Sequence, residues 1–159
     1  MELEPRPITL HALKMMGEAW LPIRQTGPIQ ITKIVAEAWS PSRLQDARTL
    51  RAAGREPPPV KAVGYALGSS RIYDLSNGNH RTVAAREAGE THISANIAGE
   101  WVCDPAMCKI RGKTFLKIGP NGLASYWEDD LPDDLLTELV RLGVAVIGSP
   151  VIQTAGSAA

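Results

Sequence analysis

The sequence predicts an α+β fold: one domain, with a small mixed sheet flanked by helices. Three observations predict it. Helix-like and strand-like stretches follow one another in the order helix, strand, strand, turn, helix, strand, which is not a regular βαβ series. The chain has 159 residues and 44% apolar content, enough for a packed core. Glycine and proline punctuate the boundaries between the stretches.

His11 to Trp20 has helical apolar spacing, and Ile29 to Ala36 reads as a strand. Ser40-Pro41 combines an N-cap with a first-turn proline. The helix it opens runs through Leu44, Ala47 and Leu50 to Ala53, with Gly54 as its stop. Pro57-Pro58-Pro59 forces an extended connector. Val60 to Leu67 alternates as a strand, Gly68-Ser69-Ser70 turns the chain, and Arg71 to Leu75 returns. A second turn, Ser76 to Asn79, leads into a helix from about His80 to Ala88 that stops at Gly89. Thr91 to Ala98 is another strand. Lys113 to Ile118 and Leu123 to Trp127 flank Asn121-Gly122 as a hairpin. Leu131 to Leu142 is an amphipathic helix whose Asp133 and Asp134 suit the positive end of its dipole. Residues 1–39 are expected as an N-terminal extension packed on a core of 40–99. Residues 100–148 are expected as a hairpin and helix of the same compact domain, and 149–159 as a flexible tail.

The formal charge is zero, with 17 basic and 17 acidic residues, so no broad nucleic-acid surface is indicated. The distribution is uneven. Arg43, Arg48, Arg51, Arg55, Lys61, Arg71, Arg81 and Arg86 make a basic centre, while Asp129, Asp130, Asp133 and Asp134 come late. No apolar run approaches the roughly 20 residues of a membrane span. The start Met1-Glu2-Leu3-Glu4-Pro5 lacks the basic and apolar regions of a signal peptide. Two cysteines, Cys103 and Cys108, make no disulfide framework. A cytoplasmic protein with free thiols is expected.

The turn Asn77-Gly78-Asn79-His80-Arg81 carries the chemistry. A strand ends, glycine allows positive φ, and a helix begins. The first N–H groups of that helix lack intrahelical acceptors and, with the helix dipole, make an anion site. Arg81 adds a planar fork suited to phosphate. His80 suits proton transfer or phosphate orientation. Asn77, Asn79 and Thr82 add polar groups. The competing reading of the same residues is a plain N-cap at Asn79 followed by solvated His80 and Arg81.

The run Ser76 to Gly89, Ser-Asn-Gly-Asn-His-Arg-Thr-Val-Ala-Ala-Arg-Glu-Ala-Gly, resembles the signature helix of the ParB/sulfiredoxin superfamily. Leu50-Arg-Ala-Ala-Gly54, then Pro57-Pro-Pro-Val60, is similar to the helix–glycine–proline–strand step that precedes it there. The resemblance spans about Ser40 to Ala98. It implies a ParB/sulfiredoxin-like fold and a nucleoside triphosphate, ATP or CTP, bound with Mg2+. Gly54, Asn77, Gly78, Asn79, His80, Arg81 and Thr82 would line the cofactor site, with His80 and Arg81 catalytic.

Three departures narrow what carries over. Asn79 stands where sulfiredoxins have their cysteine, so thiol rescue is not expected. Asn77 stands where many relatives have aspartate, leaving Asp74 as the nearest acid. No third nucleotide motif or helix-turn-helix follows Gly99, so a partition clamp is not expected.

Other features of the sequence carry weaker signals. Cys103 to Cys108 is half a zinc site at most, and tetrahedral zinc needs four ligands. The late aspartates fit a solvated helix start better than a metal site. Trp101, Tyr126 and Trp127 suit packing more than base stacking. Glu37, Glu56 and Glu87 are the acids within reach of the turn.

The resemblance leads to an NTP-binding and hydrolysing protein that acts on DNA as ATPase or DNase, in a plasmid or mobile-element setting. One version is suppression of conjugation (fertility inhibition), as in proteins of the osa type. DNA would be met through the local basic patch, and a component of a DNA-transfer system is the expected protein partner. Two other readings stay open: a kinase of free serine, and an interaction module that has lost its chemistry.

Overall fold

The computed structural model describes residues 2–125 and 130–148. The chain divides into two compact units, Met1–Cys103 and Asp104–Ala159. The first is built on a mixed five-stranded sheet. Its strands are β1 (Gly17–Gln30), β2 (Ile34–Val35), β3 (Val60–Leu67), β4 (Ser70–Asn77) and β5 (His92–Cys103), in the spatial order β1-β5-β3-β4-β2. β1/β5 and β3/β4 are antiparallel, and β3/β5 and β2/β4 are parallel. Three helices accompany it: α1 (Pro7–Met15), α2 (Pro41–Ala52) and α3 (Asn79–Glu87). Ile29, Ile34, Val60, Ala62, Leu75 and Ala95 form a core cluster.

Local signals explain the helix ends. Pro41 opens α2 and the Ser40 hydroxyl accepts from the Arg43 N–H (3.3 Å). At the other end Gly54 N–H donates to Arg51 O and Arg55 N–H to Leu50 O, closing a Schellman motif. α3 closes the same way at Gly89. Gly68 takes φ 61° in the tight β3–β4 turn.

The N-terminal forty residues differ from expectation. The helix covers Pro7–Met15, not His11 to Trp20, and the chain then becomes the long edge strand β1. Pro22 cannot sit in a helix interior, and Trp20, Leu21 and Ile29 gain partners on β5 instead. Ile29 to Ala36 is not one strand. It contains the end of β1, a 3-10 turn at Ile31–Lys33 and the short β2. Residues 1–39 thus supply both edge strands of the sheet. β5 also runs past Ala98, because Glu100, Trp101 and Val102 pair with β1 on one side and β3 on the other. The compact unit that holds this sheet extends to Cys103. The outer edge of β1 is interrupted by Pro22, Pro28 and a bulge at which Arg24 takes φ 51°.

The second unit holds a four-stranded sheet, β6 (Cys108–Arg111), β7 (Thr114–Gly119), β8 (Gly122–Ser125) and β9 (Ala145–Ile147), in the order β8-β7-β6-β9. Its helix α4 (Asp133–Arg141) buries Leu135 and Leu139 and begins with Asp133 and Asp134. The expected hairpin is β7–β8, while β6 and β9 had no clear signal in the sequence. Tyr126, Trp127, Asp129 and the tail 149–159 lie outside the described residues. No helix among the described residues is long and apolar enough to cross a membrane.

Gly99 lies beneath Trp20. A Cβ there would meet the Trp20 ring at 2.4 Å and the Leu21 carbonyl oxygen at 2.6 Å. Gly99→Ala should force β1 outward and destabilise by about 1–3 kcal/mol. Urea unfolding of the two proteins checks this.

Candidate functional site

The site starts where β4 ends. Gly78 is the N-cap of α3 at φ 102° and ψ 18°, a left-handed conformation that favours glycine. Its backbone lies directly on β3: a Cβ would come within 2.3 Å of Val60 Cγ1. No side chain caps the helix. The carbonyl of Gly78 accepts from both the N–H (3.0 Å) and the hydroxyl (2.9 Å) of Thr82. Thr82 is fully buried, so its hydroxyl braces the turn from inside and faces no solvent. The first-turn N–H groups have no intrahelical acceptor.

Arg81 reaches back across this turn. Its guanidinium donates to the Pro58 carbonyl oxygen and to Asn77 Oδ1. Both acceptors are neutral. Among the described residues no carboxylate pairs with it. Burial pulls the guanidinium below its ordinary pKa, the mark of a cation that has lost water without gaining a counter-charge. An anion placed there would restore what burial removed.

His80 is buried, and its Nε2 accepts the Ser40 backbone N–H (3.1 Å). That bond places the ring proton on Nδ1. The ring also meets Trp39 edge-on, with centroids 4.3 Å apart and planes at 68°. His80 therefore ties the start of α3 to the start of α2. Asn79 Oδ1 accepts the Glu37 N–H (3.4 Å).

A cavity of about 340 Å3 opens over this turn. Ser76 to Arg81 form one side, and Arg43, Asp46, Ala47 and Leu50 of α2 the other. Trp39 stands at its rim. A neighbouring cavity of about 280 Å3 is lined by Ala47, Leu50, Pro57 and Pro58, and Arg81 borders both. Gly54 borders a third, with Glu90 and His92, and does not join the α3 turn.

The charges around the cavity are sorted by ion pairs. Arg48 donates twice to Glu87 at 2.9 Å, and Arg51 pairs with Glu90. The Arg48 bonds hold the Glu87 carboxyl below its usual range. Asp74 pairs with Lys14 (2.9 Å) and borders a separate cavity with Glu37. Glu56 lines the neighbouring cavity together with Pro57, Pro58 and Arg81. In the cavity over the α3 turn the carboxylate that shares the lining with Arg81 is Asp46, an acid outside those expected from the sequence. It has no partner among the described residues, and neither do the guanidinium groups of Arg43 and Arg55. Residues 43, 46, 47 and 50 share one face of α2 at i, i+3, i+4 and i+7.

For a divalent ion the cavity offers one carboxylate, Asp46. Among the described residues no group of three or more His, Cys, Asp or Glu comes together. One carboxylate with phosphate oxygens suits magnesium, so the residues fit a phosphate-bridging ion and not a protein-only metal cage. Both cysteines are buried, with the Cys103 thiol donating to the Leu13 carbonyl (3.2 Å). Trp101 packs on Trp20, ring centroids 5.3 Å apart.

No family model matches the sequence, and no curated protein matches it. Among solved structures, the crystal structure of sulfiredoxin from Arabidopsis thaliana superposes on 48% of this chain and 88% of its own, at 17% identity and a TM-score of 0.37. So loose a superposition carries neither residue roles nor activity.

Gly78→Ala combines the Val60 clash with an unfavourable φ. It should destabilise by about 3 kcal/mol, and a Val60→Ala background should return the steric share. A double-mutant cycle on denaturant midpoints measures both.

Proposed function

We propose that the chain binds a nucleoside triphosphate with its phosphates at the N-terminus of α3. One observation carries the reading: Arg81 is a partly buried guanidinium held only by neutral acceptors, beside a helix start that no side chain caps. A helix N-terminus favours anions, and a guanidinium fork matches phosphate oxygens. Arg43 across the cavity would supply a second cation, and Asp46 the carboxylate for a phosphate-bound magnesium ion or an attacking water. Charge that builds on the transferred phosphoryl group would be met by Arg81. His80 would act by position, since its Nε2 is engaged with Ser40.

The sequence resemblance extends the proposal to hydrolysis, and to DNA as the object of that chemistry in a mobile-element setting, including suppression of conjugative transfer. Arg43 and Arg55, unpaired among the described residues, are the local cations a DNA backbone would meet.

The test incubates purified protein with labelled ATP or CTP and magnesium, with and without plasmid DNA and free serine. Nucleotide turnover with nicked DNA supports the leading reading. Phosphoserine supports a small-molecule kinase. Absence of nucleotide binding leaves an interaction module. Arg81→Ala should weaken nucleotide binding about 100-fold through loss of two charge-assisted hydrogen bonds, with the fold retained by circular dichroism. Unchanged affinity would remove the site assignment.

A further inference from the structure

We propose that Trp39 is the stacking platform for the ligand's nucleobase, and that it accepts purine and pyrimidine alike. The inference rests on the phosphate reading above. Trp39 is 63% exposed, the largest exposure among the exposed large hydrophobic residues. It nevertheless has a defined place. Its ring meets the buried His80 edge-on, and His80 is fixed by the Ser40 N–H. The indole thus stands at the rim of the cavity that Gly78 and Arg81 line, oriented before any ligand arrives.

An exposed indole held this way wastes apolar surface unless a partner covers it. The partner must reach Trp39 while its anionic end sits at Arg81, in one cavity of about 340 Å3. A nucleotide has that form, a flat aromatic ring at one end and phosphates at the other. Stacking is sequence-tolerant because every base presents a π-face. His80 thereby gains a role that does not involve proton transfer: it couples the phosphate turn to the base platform. The rival location for the base is the neighbouring cavity of Arg55, Pro57 and Pro58, whose lining has no aromatic ring.

Equilibrium binding of ATP, CTP and inorganic tripolyphosphate separates the terms. Trp39→Ala should weaken ATP and CTP alike by about tenfold or more, leave tripolyphosphate unchanged, and be rescued by Trp39→Phe to within about threefold. Arg81→Ala should weaken all three ligands. If Trp39→Ala leaves ATP and CTP unaffected, or if Pro57→Ala alone weakens them, the platform is overturned and the phosphate site stands. An equal loss for tripolyphosphate also overturns it, because Trp39 would then act only by shaping the turn. Failure of the unmodified protein to bind any of the three removes the phosphate reading and this inference together.

Discussion

The structure depends on the contact between Gly78 and Val60. The backbone at the start of α3 lies so close to β3 that no side-chain carbon fits between them. The left-handed conformation at Gly78 turns the chain from strand into helix within one residue. Because the turn sits on β3, Arg81 comes within reach of the Pro58 carbonyl just before that strand. The same turn brings His80 under Ser40 and so fixes where α2 begins. One steric constraint therefore arranges three segments that are distant in sequence.

Charge completes the arrangement. α2 has no buried residue, so little apolar packing of its own holds it. It is attached to the α3 side by Arg48–Glu87 and Arg51–Glu90 and by its capped start. Such exposed pairs contribute little stability each. They do remove two arginines and two glutamates from the cavity's chemistry. What faces the cavity is then Arg81, Arg43 and Asp46. Of these, Arg81 is the one desolvated by its surroundings. Anion binding is favoured at that point because the acceptors that hold the Arg81 guanidinium are neutral.

Much of the fold was legible where the signal is local. Val60 to Leu67 alternates, Ser40-Pro41 and Gly54 bracket α2, and Gly78 and Gly89 bracket α3, each through short-range geometry. β1 was not legible. Only its pairing with β5 makes Gly17 to Gln30 extended, and its helical apolar spacing near Trp20 pointed the other way. The candidate site was half legible. Gly78, Asn79 and Arg81 stood out because a turn of this kind must have such residues. Asp46 and Trp39 did not, since an aspartate on an exposed helix and a tryptophan in a loop carry no signal until a facing element gives them a cavity to line.

By itself the sequence determined the α+β class, the strand–glycine–helix turn and the presence of a guanidinium at its first turn. These follow from φ preferences, hydrogen-bond geometry and helix periodicity, which act over a few residues. Tertiary structure decided which acids share a cavity with Arg81, that His80 is bound to Ser40, that Thr82 points inward and that Gly54 lines a different cavity. Those outcomes depend on how α2, the Pro57–Pro59 connector and β3 pack around the turn. Contacts between segments twenty to forty residues apart have no period or spacing in the chain from which to read them.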